Sequence, residues 1–103
     1  MIYLKAEKPL LKLEEVLSSK GRIKILSLLA IENEMNISRI IEKTNLNHKI
    51  VHNHLNYLCT IDFVQEKQYG RIKIYRFKTE NIFAKALKNL LFFWSSKENL
   101  SIC

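Results

Sequence analysis

A chain of 103 residues and 12.2 kDa, 48% hydrophobic and 26% charged, has material for one modest core, so residues 1–103 are expected to form a single domain. Two glycines, Gly21 and Gly70, and one proline, Pro9, exclude a glycine-rich phosphate cradle, and an apolar run of at most five residues, 90–94, excludes a bilayer-spanning helix. Seventeen Lys and Arg against ten Asp and Glu, net +7, favour a polyanionic partner, and residues 47–79 hold six of those basic side chains against two acidic ones.

The first predicted element is a helix over residues 9–18, opened by Pro9 and carrying Leu10, Leu13, Val16 and Leu17 at helical spacing. Ser18-Ser19-Lys20-Gly21 punctuates the chain, and a second helix follows whose Ile23, Leu26, Leu29 and Ala30, with Ile25 and Leu28 beside them, form a face wide enough for deep burial. Glu32-Asn33-Glu34 breaks that pattern. Met35-Asn36-Ile37 fits a very short strand, and Ser38 is placed to cap a third helix that carries Ile40 and Ile41 and ends near Thr44. Asn45 then stands where the chain needs a left-handed residue, and Asn47 stands where the next helix needs a cap. Thr44-Asn45-Leu46-Asn47 therefore reads as a helix-turn-helix elbow.

The fourth helix, residues 47–60, separates into two arcs at 100° per residue. Val51, His54, Leu55 and Leu58 form the apolar arc, while Lys49, His52, Asn53 and Asn56 lie opposite, with Ile50 and Tyr57 at the boundary. The polar arc can hydrogen-bond base edges or phosphates, and residues 47–60 contain no acid to pair with the lysine. Residues 63–68 and 72–78 are rich in β-branched and aromatic side chains and predict a hairpin. Gln68-Tyr69-Gly70 fits a three-residue loop with the glycine left-handed, which places Lys67, Arg71 and Lys73 near a basic tip. From Asn81 the pattern turns helical, with Phe83, Leu87, Leu90, Leu91 and Trp94 along one stripe and Phe92 and Phe93 widening it beyond the needs of one small core.

This order of elements is that of a winged helix, an α+β, mostly helical fold in which residues 9–78 form the core and residues 81–97 a terminal helix. Three segments agree. Gly21-Arg22-Ile23-Lys24-Ile25-Leu26-Ser27-Leu28-Leu29 resembles the second helix of ArsR-like transcription regulators, and Val51-His52-Asn53-His54-Leu55-Asn56-Tyr57-Leu58 resembles their recognition helix. Gly70-Arg71 followed by Tyr75 resembles their wing and third strand. The resemblance spans residues 10–94 and implies a winged helix-turn-helix with a two-stranded wing and a C-terminal dimerisation helix. It also implies a homodimeric repressor or activator that lays its recognition helices in successive major grooves of double-stranded DNA. Asp62 and Asn45 replace glycines usual in that family, and its Cys-x-Cys metal-sensing motif is missing.

The expected DNA-binding residues are Asn47, His48, Lys49, His52, Asn53 and Asn56 on the helix and Lys67, Arg71 and Lys73 on the wing. The plainer readings are a solvated helix face and an edge hairpin kept soluble by charge. Phe83, Leu87, Leu90, Leu91 and Trp94 are the expected dimerisation residues, and residues 1–4 are candidates to cover the same seam. His48, His52 and Cys59 share one helical face, yet no fourth ligand is apparent and no metal or other cofactor is expected. The Cys103 thiol is a candidate to join two subunits or to form a disulfide with Cys59, against Cys59 as a small half-buried hydrophobe. No catalytic constellation or small-molecule effector is evident, and without a signal-peptide pattern the expected location is the cytoplasm. The alternatives in function are a protein-interaction module and a protein that coats DNA without sequence preference.

Overall fold

The computed structural model describes residues 12–102, and side chains through residue 97. In chain order the elements are α1 (Leu13–Val16), α2 (Lys20–Glu32), β1 (Glu34–Asn36), α3 (Ile37–Thr44), α4 (His48–Thr60), β2 (Val64–Tyr69), β3 (Ile72–Phe77) and α5 (Ile82–Ile102). The expected first helix is observed as a single turn that stops at Val16, while Pro9 lies outside the described residues. Ser19 starts α2 because its hydroxyl accepts the Arg22 amide at 3.1 Å, satisfying one of the helix's orphan donors.

The third helix is capped differently from the sequence expectation. Asn36, not Ser38, is the cap: its side-chain oxygen accepts the Arg39 amide at 2.8 Å, and α3 begins at Ile37. The strand accordingly shifts one residue earlier, to Glu34–Asn36, because Ile37 is already helical. Asn45 closes α3 in the left-handed region at φ 58°, with its amide on the Ile41 carbonyl, as the elbow requires.

The strands form one antiparallel sheet in the order β1-β3-β2. Val64 pairs with Phe77 and Tyr69 with Ile72, so the hairpin closes on a two-residue turn, Gly70-Arg71, rather than the expected three-residue loop. Gly70 at φ 61° takes the positive angle and Arg71 does not, the pattern of a type II′ turn, whose twist matches that of the strands. Met35, Val64, Tyr75 and Phe77 point inward from the sheet onto Ile25, Leu26 and Leu29 of α2, Ile40 of α3, and Val51, Leu55 and Leu58 of α4, all of them buried. Ala84 and Leu87 close this core from α5. The architecture is a winged helix-turn-helix with a two-stranded wing and a terminal helix that runs on to residue 102, beyond the expected 97.

Candidate nucleic-acid interface

Recognition-type helix α4 is fixed at both ends by backbone geometry. At its start the Asn47 side-chain oxygen accepts the amides of Lys49 at 2.7 Å and Ile50 at 3.2 Å. At its end the Asp62 amide reaches the Cys59 carbonyl and the Phe63 amide reaches the Leu58 carbonyl, a complete Schellman motif. Asp62 occupies the left-handed position of that motif at φ 69°, where glycine is usual. Its carboxylate sits 2.8 Å from the Lys78 ammonium, and its carbonyl accepts from the Asn81 side chain at 2.9 Å.

Between these ends, Asn47, His48, Lys49, Asn53 and Asn56 are exposed and His52 is half-buried, its ring 4.5 Å from that of His48. All six of these predicted contact residues lie on or at the start of one helix, and α4 itself carries no acidic side chain. The opposite arc, Val51, Leu55 and Leu58, is buried as the periodicity required.

His54, on the same arc, joins a polar knot instead of the apolar core. Arg22 donates from Nε to His54 Nδ1 at 3.2 Å, which makes Nδ1 an acceptor and leaves the ring proton on Nε2, 3.5 Å from the Ser19 hydroxyl. The same guanidinium lies 4.0 Å over the Tyr57 ring and donates to the Glu15 carbonyl, so it ties α1, α2 and α4 together. Burial, and then the Arg22 charge, hold the His54 pKa below its ordinary value. Burial likewise raises the Tyr57 hydroxyl, with Arg22 opposing and Glu15 adding to the effect. Gly21 permits the close approach, because a Cβ there would stand 3.3 Å from His54 Nε2 and 3.4 Å from Leu46 Cδ1. Sequence reading missed this knot; its signal was Ser19-x-Gly21-Arg22 opposite a histidine on an otherwise apolar arc.

The wing brings Lys67, Arg71 and Lys73 to one hairpin but not to one face. Lys67 pairs with Ile74 and Gln68 with Lys73, so the two lysines point to opposite sides of the ribbon. Lys73 shares the inward-facing side with Glu66, 3.9 Å from its carboxylate, whereas Arg71 is exposed in the turn. Tyr69 and Ile72, an exposed cross-strand pair on the Lys67 side, are apolar tip residues that the charge-based reading passed over.

Helix α5 splits the expected aromatic stripe in two. Leu87 is buried and Leu91 half-buried against this chain's own core, while Phe83, Leu90 and Trp94 are exposed, as are Phe92 and Phe93. Phe83 and Leu90 also flank an apolar groove of about 500 Å3, with Leu13 and Val16 of α1 on its other side. Cys59 is half-buried, and burial, followed by the nearby Glu66 charge, pushes its thiol pKa up; Cys103, the other half of the candidate disulfide, lies outside the described residues, as do residues 1–4. Among the described residues no three His, Cys, Asp or Glu side chains are grouped to hold a metal ion, and no helix is long and apolar enough to cross a membrane.

Residues 19–66, from the α2 cap to the middle of β2, match the family model described as bacterial regulatory protein, arsR family. Over these residues the chain is similar to that family, and its fold is a winged helix. Solved structures of the same fold include HlyU from Vibrio cholerae, 22% identical over 77% of this chain and 83% of that one, with a TM-score of 0.67. The transcriptional repressor PagR of Bacillus anthracis is 21% identical over 75% and 85%, with a TM-score of 0.63. The transcriptional repressor BigR from Xylella fastidiosa is 19% identical over 77% and 78%, with a TM-score of 0.65. The curated protein sequences contain no match. The matched family is described as one of regulatory proteins.

Proposed function

We propose that this ArsR-like protein is a transcription regulator that binds double-stranded DNA sequence-specifically as a homodimer. The observation that carries the reading is the α4 surface: a capped helix next to a wing, with Lys49, His52, Asn53 and Asn56 directed away from the core and no acid on the helix. A helix of about 10–12 Å diameter fits the major groove, of about 12 Å width. There Asn53, Asn56 and His52 are the base-reading side chains, and Lys49 is a phosphate contact. Arg71, exposed at the turn, is the wing's minor-groove contact. Two solved structures of this fold being transcriptional repressors supports the regulator reading.

The exposed face of α5 supports the dimer reading. Phe83, Leu90, Phe93 and Trp94 are each more than half exposed, a density of large apolar side chains that water disfavours and a second copy of the same helix covers. A two-fold dimer reads an inverted repeat with half-sites about 34–36 Å apart.

The test is fluorescence-anisotropy competition between a duplex selected from random sequence and unselected duplex, from about 50 to 200 mM salt. The expected result is a preference above about 10³-fold for the selected duplex, with affinity falling steeply as salt rises. A ratio near one would instead mark a protein that coats DNA, and no salt-dependent binding would mark a protein-interaction module.

A further inference from the structure

A second groove, about 510 Å3, lies between α2, the C-terminal end of α3, and Ser95 of α5. Its apolar lining comes from Ile23, Leu28 and Ile31 of α2, and Lys20, Lys24 and Lys43 stand around it; no carboxylate contributes to the lining. Among the described residues none of these three lysines takes part in an ion pair. Lys24 donates to the Thr44 carbonyl at 3.3 Å, which holds its ammonium over the groove's α3 end.

Lysines that only solvate a helix are ordinarily spaced to meet acids three or four residues away. Here the spacing is the reverse. Lys20 and Lys24 are four residues apart on α2, and Lys43 is four residues from Arg39 on α3, so both pairs are of like charge and neither pair has an acid at that spacing. Lys20 is also the first residue of α2, where the helix dipole disfavours a cation and where no acidic residue compensates. Three exposed lysines thus border an apolar recess that no carboxylate lines, a combination complementary to an anion with a hydrocarbon body.

We propose that this groove is a binding site for a free small amphipathic carboxylate, whose apolar body lies on Ile23, Leu28 and Ile31 and whose carboxylate is held among Lys20, Lys24 and Lys43. The volume is within the range of small-molecule sites, about 300–1,000 Å3. The site touches Thr44, the residue before the left-handed elbow Asn45, and so borders the hinge of the helix-turn-helix. Any effect of the ligand on DNA affinity rests on the regulator reading; the binding itself does not, and the experiment therefore contains no DNA.

The probe is decanoate, titrated to about 1 mM into the full-length ¹⁵N-labelled chain and followed by amide chemical shifts, with decyltrimethylammonium and decanol in parallel. The expected result is saturable shifts clustered on Ile23, Lys24, Ser27, Ile31, Thr44 and Ser95 for decanoate alone. The double substitution Lys24→Gln, Lys43→Gln is expected to weaken binding about tenfold or more, with Lys85→Gln, an exposed α5 position, leaving it unchanged. All three lysines of the groove that are to be tested or retained are surface groups, and an unchanged amide spectrum of the free variants confirms that they fold. Equal response to the cationic amphiphile, shifts centred on Leu13, Phe83 and Leu90 at the other groove, or no shifts up to about 1 mM would each overturn the proposal.

Discussion

Asp62 offers a sharp test of how the recognition helix is terminated. It sits at φ 69° in the Schellman corner between α4 and the wing, a conformation that costs an ordinary L-residue about 1–2 kcal/mol and aspartate somewhat less. Its carboxylate repays part of that through Lys78 at 2.8 Å, and because both side chains are partly solvated this pair is worth about 0.2–1 kcal/mol. Alanine keeps the left-handed strain and loses the pair, so Asp62→Ala is expected to cost about 1 kcal/mol. Glycine removes the strain, but it loses the pair and gains about 0.4–1 kcal/mol of unfolded-chain entropy, so Asp62→Gly is expected within about 0.5 kcal/mol of the parent. Asparagine tolerates the left-handed region and loses only the charge, and it is expected between the two. Urea and thermal unfolding at one fixed protein concentration read the order, a gap of about 1 kcal/mol corresponding to about 4–8 °C in Tm. In about 1 M salt the parent-to-asparagine gap is expected to close while the glycine-to-alanine gap persists. An alanine variant as stable as the glycine variant would refute the left-handed corner and with it the account of how α4 ends.

The remaining predictions concern the helix itself, its polar knot and its two surfaces. Asn47→Ala removes the acceptor for two α4 amides and is expected to cost about 1 kcal/mol by urea unfolding, with Asn47→Asp close to the parent. His54 carries a folded-state pKa below its ordinary 6.5, so below about pH 6.5 the unfolded chain takes up a proton that the folded one refuses. Stability contributed by this group is therefore complete above pH 6.5 and declines as pH falls towards the lowered folded value; His54→Gln is expected to flatten the unfolding free energy across that window. On DNA, Asn53→Ala is expected to relax discrimination at one base-pair position by about 1–3 kcal/mol, whereas Lys49→Ala weakens all duplexes alike and lowers the salt slope by about one. Leu90→Ser with Trp94→Ser is expected to shift sedimentation equilibrium towards monomer without unfolding the chain, because both side chains are exposed.

Much of this arrangement was legible because local chemistry and tertiary packing agree. The apolar arc of α4, the left-handed Asn45 and the Asn47 cap are each dictated by spacing or by one residue's conformational habit, and each is observed; on α2 the buried set is Ile25, Leu26, Leu29 and Ala30, with Ile23 and Leu28 only half-buried. The misses come from competition between equivalent local solutions. Asn36 and Ser38 are both good caps, and the sheet decides between them, since pairing of Asn36 with Ile74 fixes where the strand must end. A glycine hairpin permits loops of either length, and the inward placement of Val64, Tyr75 and Phe77 selects the two-residue one, because any other register would turn a core side chain to solvent. The Arg22–His54 contact joins residues 32 apart in sequence and has no periodic signature. The split of the α5 stripe was hidden because an apolar side chain looks the same in sequence whether it faces its own core, as Leu87 does, or the solvent, as Trp94 does.

The common physical theme at α4 is that its orientation is set by groups that do not belong to its exposed face. Asn45 and Asn47 fix the entry, Asp62 fixes the exit, and Arg22 clamps the middle through His54 and Tyr57. None of Lys49, Asn53 or Asn56 makes a side-chain hydrogen bond within the described residues, so the face presents donors and acceptors whose geometry is set from behind and whose bonding capacity is unspent. That division of labour lowers the ordering cost of docking a helix into a groove, because the backbone is already held and only exposed side chains remain to be immobilised. It also separates two kinds of variant. On the proposed function, changes at Ser19, Gly21 or Arg22 are expected to alter affinity for all duplexes together by loosening the platform, as Lys49→Ala does by removing a charge, whereas changes at Asn53 or Asn56 are expected to alter preference among duplexes.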